Sequence, residues 1–227
     1  MLSAVRVASR TNTPTAAVII VHGLGDSGSG WKFFADMARQ SSDFDHIRFV
    51  FPNAPNQPVS INGGIPMPSW FDIDSFGEYT NNRDVAGYLK SLDTVKQYIN
   101  EQVESGIPTE RIVVGGFSQG GGLALGTAAL FDKKLAGILA FSPAAPFYST
   151  FKEKKVDVNI DTPIFHGHGT SDPVVPYEAG KLTRDFFTKE LGFKNYKHES
   201  YPGLEHSCAN EELAAAYKLI SDVLPKQ

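Results

Sequence analysis

The sequence predicts an α/β fold: one domain over residues 1–227, with a mainly parallel central sheet, helices on both faces and no separate cap domain. Three observations lead there. Apolar runs of strand character alternate with amphipathic helical stretches along the chain, the order that builds a parallel sheet covered on two sides. Residues 16–21 (Ala-Ala-Val-Ile-Ile-Val) are apolar at every position, the mark of a strand buried on both faces. No linker, internal repeat or low-complexity tract divides the chain.

Val5 and Val7 alternate with polar neighbours and predict an edge strand. The strand at 16–21 runs into the loop His22-Gly-Leu-Gly-Asp-Ser-Gly-Ser-Gly30, which opens a short helix around Phe34, Met37 and Ala38. Residues 47–51 form the next strand. The stretch 53–82 is irregular: Pro55, Pro58, Pro66 and Pro68, with Gly63 and Gly64, exclude a long helix or a central strand. Its apolar Ile65, Met67, Trp70 and Phe71 predict an ordered covering loop.

Leu92, Val95, Ile99 and Val103 recur at helical spacing, and Gly106 with Pro108 ends that helix. Strands are expected at 112–114, 135–141, 163–165 and 196–201, with a loop over 166–173. A helix with Ala179, Leu182 and Phe186 on its inner face is expected to end at Gly192. Asn210 is the expected N-cap of a last helix, with Glu211 and Glu212 in its first turn. Leu213, Ala216, Tyr217, Ile220 and Leu224 form the apolar stripe of that helix.

A net charge of -4 and the absence of a Lys/Arg cluster argue against a nucleic-acid surface. The single cysteine, Cys208, excludes an intramolecular disulfide. The first residues lack the pattern of a signal peptide, and no apolar run is long enough to span a bilayer. A cytoplasmic protein without stable membrane insertion is therefore expected, with the nucleus left open as a second location.

The chemistry centres on Gly116-Phe-Ser-Gln-Gly120. A Gly-x-Ser-x-Gly between a buried strand and a helix is the context of a nucleophile elbow, in which the serine sits on a strained turn. An ordinary Gly-rich turn would satisfy the pentapeptide alone; the strand before it and the small-residue helix at 123–130 favour the elbow. A serine hydroxyl needs a base, and the base needs orienting. On the hydrolase fold built around such an elbow, the partners follow in the order acid, then histidine.

His206 lies in the loop after the last strand, whereas His198 sits inside that strand and reads as a surface position, so His206 is the expected base. Of Asp157, Asp161 and Asp172, only Asp172 follows its strand at the carboxyl edge, where such sites gather. Asp161 precedes the strand, and Asp157 belongs to a solvated Lys-rich segment. The oxyanion needs two N–H donors. Gln119, directly after the serine, supplies one, and Leu24, between Gly23 and Gly25, the other.

Two other readings are weaker. His166 and His168 could ligate a metal, but a third ligand at sensible spacing is missing, so structural hydrogen bonds are expected and no metal or cofactor. Gly23, Gly25 and Gly28 match a dinucleotide fingerprint, but Asp26 beside them would repel a pyrophosphate.

With these residues assembled, the chain resembles the acyl-protein thioesterase / lysophospholipase family of small α/β-hydrolases, in a form similar to its fungal members. The resemblance runs through His22-Gly-Leu-Gly-Asp26, Gly30-Trp31, Phe51-Pro-Asn-Ala-Pro55 and Pro68-Ser-Trp-Phe-Asp-Ile73. It continues through Gly106-Ile-Pro108, Gly115-Gly-Phe-Ser-Gln-Gly120, Asp172-Pro-Val-Val-Pro176 and Gly203 to His206-Ser207. It implies the same triad, Ser118, Asp172 and His206, and the same oxyanion donors. It further implies S-acylated proteins or lysophospholipids as substrates, and leaves a weak homodimer open. An acyl-chain channel is implied at Trp70, Phe71 and Val174, with Ile65 and Met67 as neighbours. Two departures stand out: Thr170 where many members carry an acidic residue, and the segment 142–147.

Overall fold

The computed structural model describes residues 3–74, 84–145 and 147–227. The far end of the irregular stretch 53–82 and Pro146 of the segment 142–147 lie outside the described residues. Among the described residues nine strands are formed: β1 (Ala4–Val7), β2 (Ala16–Val21), β3 (Ile47–Pro52), β4 (Asn56–Val59), β5 (Ile65–Pro68), β6 (Ile112–Phe117), β7 (Gly137–Phe141), β8 (Ile164–Gly169) and β9 (Tyr196–Tyr201). Six α-helices join them among the described residues: α1 (Lys32–Ala38), α2 (Val85–Glu104), α3 (Gln119–Leu130), α4 (Tyr148–Lys154), α5 (Tyr177–Asp185) and α6 (Asn210–Val223).

Seven strands make the main sheet in the order β1-β3-β2-β6-β7-β8-β9. Only β1 runs antiparallel to its neighbour; every other pairing is parallel. The proline-rich stretch stays out of this sheet and folds back on itself as the antiparallel pair β4–β5, as expected where prolines remove ladder donors.

Alternation along β2 divides the core. Ala17, Ile19 and Val21 face a cluster with α2, α3 and the Phe151, Phe186 and Phe187 side chains. Val18 and Ile20 face Phe34 and Ala35 of α1 and Leu213, Ala216 and Ile220 of α6. Burying each large side chain contributes about 1.5–3 kcal/mol, so both faces are strongly held to the sheet.

Four expectations need correction. β8 extends to Gly169, so His166 and His168 are strand residues rather than loop residues. Gly167 and Gly169 are required there by packing: a Cβ would lie 2.1 Å from Glu212 Oε1 at the first and 2.1 Å from the Leu204 carbonyl oxygen at the second. Leu182 is 54% exposed, and the inner face of α5 carries Ala179, Gly180 and Thr183 instead. A π-helical turn, Phe186–Glu190, follows α5 and turns both Phe186 and Phe187 inward. Finally, α6 is capped at Ala209 and Asn210 is its first residue.

Candidate active site

Strand β6 hands the chain to α3 through one residue, Ser118, whose φ of 55° lies in the left-handed region. Such a conformation in a non-glycine residue is costly and persists only where surroundings hold it. They do. Ser118 N–H donates to the Phe141 carbonyl at 2.9 Å, and the Ser118 carbonyl accepts from Gly122 and Ala144 N–H, each at 3.0 Å. The turn is tight enough that a Cβ on Gly116 would meet the Gly120 carbonyl carbon at 2.3 Å. Both glycines of the pentapeptide are therefore steric requirements.

The chain brings the other expected residues to the same sheet edge. His206 Nδ1 lies 2.7 Å from Asp172 Oδ2, and the His206 ring packs on Phe117, next to Ser118, with centroids 4.6 Å apart. Asp172 Oδ1 accepts the N–H groups of Val174 and Val175 at 2.8 and 2.9 Å. Burial by itself would raise the Asp172 pKa, but the His206 hydrogen bond and those backbone donors outweigh it and hold the carboxyl below its ordinary value. Asp172 is therefore a carboxylate, fixed at both oxygens. Asp157 and Asp161 are solvent-facing, paired with Lys155 and Lys194.

Gly23 lies against Phe117 and Ser118: a Cβ there would be 3.3 Å from the Ser118 Cβ. Its loop is held by His22, which accepts the Ala54 N–H on Nε2 at 3.0 Å and donates from Nδ1 to the Gly23 carbonyl at 2.7 Å. Burial lowers the His22 pKa, so the ring stays neutral in that single tautomer. Gly25 N–H donates to the Pro68 carbonyl at 2.8 Å, and Asp26 N–H to that of Gly23 at 3.3 Å.

Gln119 does more than its place in the motif suggested. Its fully buried side chain accepts the Trp70 N–H at 3.1 Å and donates to Ser69 Oγ at 3.2 Å and the Phe71 carbonyl at 2.8 Å. Trp70 Nε1 in turn donates to the His22 carbonyl at 2.9 Å. One amide thus ties the elbow to the covering segment and, through it, to the loop of Leu24. Truncation strands the buried Trp70 N–H, at a cost of about 1–3 kcal/mol. Gln119→Ala is expected to melt several degrees lower while turnover stays within about tenfold of the parent, because the backbone N–H remains. Thermal melts beside initial rates check both halves.

The residues expected to line an acyl channel occupy different depths. Trp70 and Phe71 are 1% and 0% exposed, and Phe71 packs edge-on against Tyr88 and Phe147. Ile65 on β5 is 63% exposed. Met67 and Val174 are half-buried, with Met67 Sδ 4.0 Å from where a Gly25 Cβ would stand. Thr170 accepts the Gly203 N–H on its hydroxyl at 3.0 Å, bracing the turn that leads to His206. Ser142 is fully buried with φ 42°, and its Oγ has no hydrogen-bond partner among the described residues.

His198 is not a plain surface residue. It packs on His166 and Tyr177, and burial pushes its pKa down to about 4. Both ring nitrogens of His166 and of His168 are engaged in hydrogen bonds. Among the described residues, no group of three or more His, Cys, Asp or Glu side chains is arranged to hold a metal ion.

Sequence reasoning passed over Glu212. Buried beneath the His206 loop, it accepts the Ala209 N–H at 3.3 Å while its Oε1 has no partner among the described residues. Burial, with a smaller contribution from Glu199, raises its pKa from 4.5 to about 7. The folded chain binds this proton more tightly than the unfolded chain, so stability is lost as pH rises from the lower value through the upper one. The full effect is about 3 kcal/mol. Glu212→Gln should therefore gain stability over the parent progressively between pH 4 and pH 8; a difference in melting temperature that is constant across that range would exclude this.

Comparison with known proteins gives the chain its relatives. The profile of the phospholipase/carboxylesterase family matches residues 2–224. The chain belongs to that family. Acyl-protein thioesterase 1 of Debaryomyces hansenii is 46% identical to it, with 100% of this chain and 99% of the relative covered. For that of Saccharomyces cerevisiae the identity is 39%, over 93% and 94%. Among solved structures, Zea mays acyl-protein thioesterase 2 superposes with a TM-score of 0.85 at 27% identity, covering 99% of this chain and all of that one. Arabidopsis thaliana SOBER1 does so with 0.84 at 32%, covering 92% and 99%. The fold of the family member described here is accordingly the α/β-hydrolase fold, and the chain is a serine-hydrolase-type enzyme of the acyl-protein thioesterase group. No helix among the described residues is long and apolar enough to cross a membrane.

Proposed function

We propose that the chain, acting as one domain over residues 1–227, hydrolyses long-chain acyl thioesters on protein cysteines, palmitoyl above all, through Ser118, His206 and Asp172. The observation that carries this reading is the 2.7 Å hydrogen bond between Asp172 and His206 Nδ1, made beside the strained elbow of Ser118. With Nδ1–H directed at the carboxylate, the lone pair of the neutral imidazole is on Nε2, where a base must have it.

In this mechanism Ser118 Oγ attacks the acyl carbon as His206 Nε2 takes its proton. The oxyanion forms against the N–H groups of Gln119 and Leu24. Gln119 is the first residue of α3, where a backbone donor has no partner within the helix. In the other loop, Gly25 and Asp26 commit their N–H groups elsewhere, which supports Leu24 as the second donor. His206 returns the proton to the leaving thiolate, then activates the water that hydrolyses the acyl-enzyme. Met67, Val174 and Ile65, which are less buried than Trp70 and Phe71, are the proposed contacts of the acyl chain.

The fungal relatives named as acyl-protein thioesterases favour the thioester. The family's description as phospholipase and carboxylesterase favours the second reading, oxygen esters of lysophospholipids or small acyl esters. Both use the same residues. A competition between a palmitoylated peptide and lysophosphatidylcholine decides: the peptide should be consumed first, with Ser118→Ala inactive on both. Preferential hydrolysis of the lipid would replace the first reading by the second.

A further inference from the structure

Behind Asp172, on the α5 side of the sheet, β8 and β9 present His166, His168, Tyr196 and His198 on one face. Three of them form a hydrogen-bonded line whose direction is determined. Its end is a carbonyl: His168 Nε2 lies 2.8 Å from the Val175 oxygen, so that nitrogen carries the proton. Burial lowers the pKa of His168 and, further, of His166, so both rings are neutral. His168 Nδ1 is then an acceptor, and His166 Nε2, 3.2 Å away, must donate to it. His166 Nδ1 is in turn an acceptor and takes the Tyr196 hydroxyl proton at 2.8 Å. Only one arrangement of protons satisfies all three contacts.

The line stops on the residue that holds the acid. Val175 N–H donates to Asp172 Oδ1, while its carbonyl takes the His168 proton. His168 Nε2 itself is 3.7 Å from Asp172 Oδ2, too far for a hydrogen bond. Its influence therefore passes through the 172–175 turn. Gly180 of α5 packs directly on the ring: a Cβ there would lie 2.4 Å from His168 Nδ1.

We propose that His168 is a positioning residue, held in one tautomer by His166 and Tyr196, that locks the Val175 peptide and so aims the Asp172 carboxylate at His206. The inference rests on the triad reading above and assigns no contact with substrate. Without the Nε2–H donor the Val175 carbonyl loses its buried partner, the turn relaxes, and the Asp172–His206 bond lengthens. Tyr196 acts at one remove: without its hydroxyl, His166 can carry its proton on Nδ1, and His168 can then turn its own proton away from Val175.

The test compares His168→Leu, His168→Gln and Tyr196→Phe with the parent, and Ser118→Ala as control. Turnover on a palmitoyl-thioester peptide is read beside the far-downfield proton resonance of the His206–Asp172 bond. His168→Leu should lose about 10–100-fold in kcat with KM nearly unchanged, and lose or shift that resonance. His168→Gln, whose side-chain amide can reach the Val175 carbonyl, should recover most of both. Should His168→Leu fail to fold, Tyr196→Phe decides, since it removes one oxygen and is expected to lower kcat several-fold. A folded His168→Leu with parental kcat and resonance, or an unaffected Tyr196→Phe, would overturn the proposal. Full activity in Ser118→Ala would instead sink the triad reading, and the resonance would still report whether His168 governs the Asp172–His206 pair.

Discussion

Ser118→Ala is expected to lower turnover on a palmitoyl thioester by about a million-fold, the order reached when a triad nucleophile is removed. Folding should survive, because the elbow is held through backbone groups: the Ser118 N–H on Phe141 and its carbonyl on Gly122 and Ala144. Alanine can occupy φ 55° at much the same strain as serine. The measurement is single-turnover hydrolysis beside a thermal melt. A variant that melts like the parent and turns over within tenfold of it would remove Ser118 from the mechanism.

Asp172→Asn is expected to cost about ten-thousand-fold in kcat, less than loss of the nucleophile. Asparagine keeps an oxygen for the Val174 and Val175 donors, so the turn is preserved. Toward His206, however, it presents an NH₂ group that donates, and the imidazole answers by accepting on Nδ1. Its proton then sits on Nε2, and the lone pair that should receive the serine proton is gone. Rates across pH 6–9, compared with the parent, check this. A loss below about tenfold over the whole range would mean that another group orients His206.

Much of this arrangement was legible beforehand, and the reasons are specific. Strand β2 could be read because six consecutive apolar residues have few other places in a fold. Asp172 and His206 could be read because chain order and the carboxyl edge leave few candidates, and the structure places their side chains in contact. The extension of β8 was hidden: His-Gly-His-Gly has little strand propensity, and its glycines answer to Glu212 and Leu204, which no local pattern reveals. The same holds for Gln119, whose amide meets residues 69–71, far away in the chain. Leu182 was misplaced because the inner positions of α5 are the small or polar Ala179, Gly180 and Thr183, so a large apolar residue at the rim of that face was read as its centre. His198 looked exposed because alternation in a strand does not tell which helix covers it.

The order of strands in the sheet also sets a schedule for synthesis. The N-terminal strands β1, β3 and β2 can assemble as a wing, but β2 must wait for β6, and thus for residue 117, before its other edge is covered. From there β7, β8 and β9 are added outward one at a time, in the order in which they leave the ribosome. His206 and α6 come after the last of them. The serine turn is held by Phe141 and Ala144, so its contacts are complete only once β7 has emerged, and the proposed base, His206, follows about sixty residues later.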